Sequence, residues 1–187
     1  MLKRTEPKPR ACKVCRSQFT PSRMGQRVCG PACALSLAQS TRAKAEKRQA
    51  VKERKELRER KNRIKTRGDW AREAQQAVNA FVRERDKDLP CISCGRHHQG
   101  QYHAGHYRSV GSAPHLRFDV ERNIARQCAP CNTHLSGNLV AYRIGLIARI
   151  GIEAVEALEA DQAPRHYSID DLKAIKALYQ RKRREIS

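Results

Sequence analysis

The sequence has little of what a large, self-sufficient core requires. Aromatic residues make up 5 % of its 187 positions, with one Trp, which excludes a single well-filled hydrophobic domain of ordinary density. Small modules joined by a solvated segment fit better, with bound metal substituting for missing core. No apolar run approaches the roughly 18 residues of a membrane-spanning helix, and Met1–Lys13 carries charge without the apolar stretch of a secretory signal. No membrane partner is therefore expected, and a reducing, intracellular setting is. Acidic residues are also scarce. Asp and Glu number 19 against 39 Lys and Arg, a formal net charge of +20. Two zinc ions on eight thiolates would lower that only to about +16. A field of this size favours a polyanion, most commonly nucleic acid.

Four sections can be separated. Residues 1–36 hold Cys12-x2-Cys15 and, thirteen residues later, Cys29-x3-Cys33. Each pair can present two sulfurs on a tight turn, about 2.3 Å from a tetrahedral ion. A disulfide is the alternative, disfavoured by the expected compartment. Residues 37–88 form a basic helical section. Arg42–Arg67 contains thirteen Lys/Arg and four Glu, with neither Gly nor Pro. Glu56/Arg60 and Glu59/Arg63 are spaced as helical ion pairs. Ala43, Ala50, Leu57 and Ile64 repeat every seven residues without a matching second apolar position, so half a coiled-coil seam is present and no more. The expected result is a helix exposed on most faces, either a solvated linker or a phosphate-contacting arm. Gly68 is expected to interrupt it. Trp70, Ala74, Ala77, Val78 and Phe81 then mark an amphipathic helix, ending before Pro90, that packs on the second metal module.

Residues 141–187 form the fourth section. Helices are expected at Leu139–Ile150, Ile152–Glu159 and, after the Ser168-x-x-Asp171 capping box, Ile169–Arg184, with Leu172, Ile175 and Leu178 facing a core. Gly145 weakens the first of these.

The remaining section, residues 89–140, carries the chemistry. Cys91-x2-Cys94 is followed after 33 residues by Cys128-x2-Cys131, a strong four-thiolate zinc pattern. Four thiolates leave no open position, so this zinc is structural. The intervening stretch holds His97, His98, His103, His106 and His115, five of the seven histidines. Asn123 and Asn132 flank the second cysteine pair. A neutral imidazole can activate water, a divalent cation on oxygen or imidazole ligands can stabilise a leaving 3′-oxygen, and a backbone carbonyl or Asn can orient the imidazole without adding charge.

His106, Asn123 and Asn132, the last nine residues beyond the second, resemble the HNN variant of the HNH endonuclease motif. That motif sits on a ββα-metal fold braced by a four-cysteine zinc. The resemblance implies a mostly helical α+β protein. It assigns His106 as general base, Asn123 as the residue helping to orient it, and Asn132 as a ligand of a catalytic Mg²⁺ or Mn²⁺ beside two structural Zn²⁺. Gly105 stands where the motif has its first metal ligand. His103 is the nearest substitute and Asp119 a second. Arg108, Arg117, Arg122 and Arg126 are candidate phosphate clamps; surface charge is the other account of them. Over its full length, through the N-terminal cysteines, the basic helix, His-Ala-Gly-His106 and Cys131-Asn-x-His-x-Ser-Gly-Asn138, the chain resembles the NinG (Rap) recombination family of lambdoid phages. That resemblance implies an endonuclease of Holliday junctions and D-loops acting in the bacterial cytoplasm. A homodimer is expected, since a four-way junction is two-fold symmetric, with other recombination proteins as further partners. A non-catalytic zinc protein binding DNA or RNA is the alternative.

Overall fold

The computed structural model describes residues 8–187, so the first seven residues of the N-terminal module lie outside it. The chain divides into two compact units, Met1–Ile64 and Lys65–Ser187.

In the first unit, β1 (Arg10–Ala11) and β2 (Gln18–Phe19) pair antiparallel, Arg10 opposite Phe19. The turn between them carries Cys12 and Cys15, with Arg16 in the left-handed region at φ 62°. Helix α1 (Pro31–Ile64) begins inside the cysteine module and places Cys33 in its first turn. Pro31 suits that start, because a first-turn residue has no intrahelical acceptor for its N–H. The module and the basic arm are thus one continuous element. At 1.5 Å per residue α1 is about 50 Å long, and it has no buried residue. Its ion pairs differ from those expected: Glu56 and Glu59 pair backwards with Lys52 and Lys55, each at 3.9 Å. A partner one turn either way is equally reachable, and exposed pairs are worth only a few tenths of a kcal/mol.

The helical break is set by Thr66, two residues before Gly68. Thr66 Oγ1 accepts from the Asp69 N–H (3.2 Å) and Asp69 Oδ2 accepts from the Thr66 N–H (2.8 Å), a complete capping box. Gly68 lies within the first turn of the helix that follows, α2 (Arg67–Arg85). The sequence signal there was the Thr-x-x-Asp spacing.

In the second unit, β3 (Tyr102–His106) and β4 (Ile124–Cys128) pair antiparallel, Tyr102 opposite Cys128 and His106 opposite Ile124. Alternation sorts the hairpin into two faces. Ala104 and Ile124 join the core of α2 and the final helix, α5 (Ile169–Ile186), with Trp70, Val78, Phe81, Phe118 and Leu172. Ala125 faces the other way, toward Tyr142 and Leu146 of α3 (Leu139–Ile150) and Val155 and Leu158 of α4 (Ile152–Ala160). The Trp70–Phe81 stripe is buried, but mainly against α5 and only secondarily against the hairpin of the metal module on which it was expected to pack; Ser168 caps α5 through Asp171. Gly145 is explained by close approach: a Cβ there would lie 2.0 Å from the Ile92 carbonyl oxygen. The glycine lets α3 rest on the knuckle that carries Cys91 and Cys94.

One buried carboxylate ties these layers together. Asp86, 1 % exposed, accepts from Arg85 Nε and Nη2 (2.8 Å each), Arg149 Nη2 (2.8 Å) and Nη1 (3.1 Å), and the Arg126 N–H (3.1 Å). Arg85 also donates to the Val120 and Ile124 carbonyls at 2.9 and 3.0 Å. Burial acts to raise the Asp86 pKa, but the two guanidinium groups prevail and hold it at about 2.

Candidate active site and metal centres

Both cysteine sets close. Within each, the four sulfurs lie within 4.8 Å of one another, and none of the eight cysteines is in a disulfide. An all-sulfur set of this size fits a tetrahedral ion such as zinc, with no coordination position left over. In the second set β4 ends on Cys128, and a wide helical turn, Pro130–His134, supplies Cys131. The Cys128 N–H donates to Cys91 Sγ (3.3 Å) and Asn138 Nδ2 to Cys131 Sγ (3.5 Å), contacts that suit thiolate acceptors. His98 Nε2 lies 3.3 Å from Cys94 Sγ, beside the cluster.

The cluster pins the Tyr102–Cys128 end of the hairpin, and His106 projects from the other end, opposite Ile124. A carbonyl can only accept, so His106 Nε2 must carry the proton it donates to the Arg117 oxygen (3.1 Å). That tautomer leaves Nδ1 bare. Burial, reinforced by the Arg117 charge, lowers the His106 pKa below its ordinary 6.5 against the opposing pull of this hydrogen bond. The ring is therefore neutral at pH 7 and can accept a proton. It lines a cavity of about 530 Å³, together with Asn132, Arg108, Ser109, Ser136 and Glu159.

Asn123 is fully buried and does not line that cavity. Its Oδ1 accepts the Arg108 N–H (2.7 Å), and its Nδ2 donates to the Arg108 and Leu116 carbonyls (3.0 and 3.1 Å). Its own carbonyl accepts the Tyr107 N–H (2.9 Å). Asn123 thus bolts the chain just after His106 to the residue just before Arg117, whose carbonyl holds the imidazole.

Asn132 sits on the wide turn. Its Nδ2 meets His103 Nδ1 at 2.9 Å, so two of the expected cation ligands do come together. Ser136, Gly137 and Asn138 follow with φ of 48°, 93° and 44°, a left-handed run that turns the chain into α3 and that Gly and Asn tolerate best. Asp119 is elsewhere, paired with Arg122 at 2.7 Å. Gly105 could not have carried a ligand here without rearrangement, because a Cβ on it would lie 2.2 Å from Gln127 Oε1.

The four candidate arginines are all engaged within the fold. Arg108 Nη1 donates to the Leu158, Glu159 and Asp161 carbonyls (3.1, 3.2 and 2.6 Å), capping the end of α4. Arg117 Nε donates to Gln75 Oε1 (3.0 Å). Arg122 pairs with Asp119 and with Asp161 (3.2 Å). Arg126 donates to the Asp86, Lys87 and Leu89 carbonyls and lies 3.5 Å over the Tyr102 ring. Of the four, Arg108 lines the cavity that His106 lines.

Sequence reasoning missed two residues here. Glu159 is the carboxylate in the cavity wall; Arg143 (2.8 and 3.1 Å) and the Tyr107 hydroxyl hold it at a pKa of about 2. Nothing local announces it, since it reaches the site only through the packing of α4. Gln127 is fully buried. A signal for it existed: alternation along Ile124–Cys128 puts Gln127 on the same inward face as Ala125.

Among known families, the model described as "Bacteriophage Lambda NinG protein" matches residues 4–187. The chain belongs to the NinG family. It is 48 % identical over 191 residues to Protein ninG of Salmonella phage P22, covering 95 % of this chain and 93 % of that protein. It is 47 % identical over 195 residues to Protein ninG of Escherichia phage lambda, covering 97 % and 95 %. Protein ninG of Escherichia phage 933W is 46 % identical over 193 residues, covering 97 % and 95 %. No solved structure matches the chain. Among the described residues of this family member, no helix is long and apolar enough to cross a membrane.

Proposed function

We propose that this NinG-family chain is a metal-dependent endonuclease of the HNH type that cuts branched DNA, such as Holliday junctions and D-loops, during phage recombination. The observation that carries the reading is His106: a neutral imidazole fixed through Nε2 on the Arg117 carbonyl, its Nδ1 free, in a cavity it shares with Asn132. A histidine kept only for packing has no need of a bare nitrogen beside an open cavity. The antiparallel pair, the following wide turn and the four-cysteine brace are consistent with a ββα-metal module.

In this reading His106 Nδ1 takes a proton from water as the oxygen attacks phosphorus, and the bond to the 3′-oxygen breaks. Asn123 holds the Leu116 carbonyl, next in the chain to the Arg117 carbonyl that fixes the ring, and so helps keep the base in its reactive tautomer. Asn132 and His103 would hold a Mg²⁺ or Mn²⁺ ion. When bound, such an ion supplies charge stabilisation at phosphorus and at the leaving oxygen. The two zinc ions brace and take no part in the chemistry.

Helix α1 supports the nucleic-acid half of the proposal. At about 100° per residue, Lys44, Lys47, Arg48, Arg54, Arg58 and Lys61 fall in a sector about 140° wide. Its four glutamates lie outside that sector. An acid-free basic face about 25 Å long suits a row of phosphates, and it is the better candidate for backbone contact than Arg108, Arg117, Arg122 and Arg126, which are engaged within the fold. A homodimer would present two sites to a two-fold junction. The test is cleavage of a four-way junction beside a plain duplex of equal length, with Mg²⁺ or Mn²⁺. Metal-dependent, junction-preferring cleavage is expected. Tight junction binding without cleavage would instead establish a non-catalytic DNA-binding protein.

A further inference from the structure

Gln127 lies directly across from His103 in the hairpin, on the same face as Gly105. Its Nε2 donates to Ser93 Oγ (2.7 Å) and to the Gly137 carbonyl (2.6 Å), which uses both amide hydrogens. A carbonyl at Gly137 cannot donate, so the amide orientation is fixed. Gln127 Oε1 is left buried with no partner, the only side-chain nitrogen or oxygen so placed among the described residues. A buried orphan oxygen costs about 1–3 kcal/mol, which argues for something that pairs with it in the working state. That oxygen points into the space a side chain on Gly105 would fill, 2.2 Å from where its Cβ would be. His103 Nδ1 and the Asn132 amide meet on the same face.

We propose that Gln127 Oε1 is the cation ligand that replaces a side chain at position 105, completing with His103 and Asn132 a carboxylate-free site for Mg²⁺ or Mn²⁺. This rests on the nuclease reading above. Among the described residues, no three His, Cys, Asp or Glu side chains converge outside the two cysteine sets. Glu159, the nearby carboxylate, is held by Arg143 and Tyr107. Hard divalent ions are ordinarily held by one or two carboxylates together with substrate phosphates. Three neutral donors on a chain of net charge +20 supply direction and no counter-charge. The phosphate must then supply it, so cation and DNA bind as a coupled pair, each raising the affinity of the other by the same factor. Such a site stays disarmed until a junction is seated.

The test measures Mn²⁺ binding by electron paramagnetic resonance in His106→Ala protein, so that DNA stays intact, with and without a four-way junction. The junction should raise Mn²⁺ affinity at least about tenfold. Gln127→Ala in that background should lower affinity in the complex by about 10- to 100-fold with zinc content unchanged. Gly105→Asp/Gln127→Gly should restore Mn²⁺ binding and make it far less dependent on DNA, because it removes every residue-127 side-chain atom that a Cβ at position 105 would meet and the carboxylate brings its own charge. Should Gln127→Ala lose zinc, a measurement on the unsubstituted residue decides: in the complex, substoichiometric Mn²⁺ should broaden the side-chain amide resonances of Gln127 and Asn132 first. Unchanged Mn²⁺ affinity in a zinc-replete Gln127→Ala protein, or no broadening at Gln127, overturns the proposal. If wild-type protein cuts while Gln127 proves irrelevant, the ligand assignment fails alone; if wild-type protein never cuts, the nuclease reading fails.

Discussion

Replacing Asp86 by Asn should destabilise the second unit by about 3 kcal/mol or more, although Asp86 touches neither cysteine set nor the cavity. Two routes give the magnitude. Its carboxyl is held at about 2 against an ordinary 3.8, and at about 1.36 kcal/mol per pH unit this corresponds to about 2 kcal/mol of stability at neutral pH. Because the folded value is depressed, that contribution is full above about pH 4 and is lost as pH falls through about 2. The substitution does more than protonation, since it leaves Arg85 and Arg149, 20 % and 28 % exposed, facing a neutral amide. Breaking a buried pair from one side costs about 3–5 kcal/mol. Acid titration is a poor assay, because low pH also protonates the thiolates and releases metal. Urea unfolding at pH 7, followed by emission from Trp70, is the appropriate one. Trp70 is the sole tryptophan and lies in the α2–α5 core, so it reports this unit and not α1. A loss under 1 kcal/mol with zinc content intact would refute the claim that this ion-pair hub holds α2, β4 and α3 together.

Three further outcomes follow from the site. Because burial lowers the His106 pKa, single-turnover cleavage should be flat through neutrality and fall tenfold per unit only on the acid side of 6.5; an acid limb centred above 6.5 would contradict the assignment. Asn123→Ala should cost about 3 kcal/mol by stranding buried backbone groups at Arg108 and Leu116, and should slow cleavage at least about tenfold at temperatures where the protein is folded, with junction affinity unchanged. Junction binding should weaken steeply with salt, about 0.9 in log–log slope per neutralised phosphate, and Arg54→Glu/Arg58→Glu should reduce that slope by about 2; a flat response would remove α1 from the interface.

Much of the fold was legible in the sequence, for identifiable reasons. The cysteine spacings encode turns, and the turns form. The Trp70–Phe81 stripe encodes a buried face, and the Ser168–Asp171 box encodes a helix start. These are local signals, complete within about a dozen residues. Even the helical break was written locally, in Thr66 and Asp69, and was obscured by the more conspicuous Gly68. What was not legible depends on contacts between distant segments. Gly145 looks like a weak point in a helix until the Ile92 carbonyl is brought against it. Gly105 looks like a lost ligand until Gln127, 22 residues on, is seen to occupy its space. The four arginines beside the motif carried charge that suggested phosphate, and only the packing of α2 and α4 shows which carbonyls and side chains they hold.

The most direct test is single-turnover cleavage of a four-way junction with Mn²⁺ by wild-type protein and by His106→Ala, with zinc content and junction affinity measured on both. The account predicts cleavage by wild type, its loss in the variant, and no change in zinc or affinity. Equal cleavage by the two proteins would contradict it, because the bare Nδ1 of His106 would then have no part in the reaction.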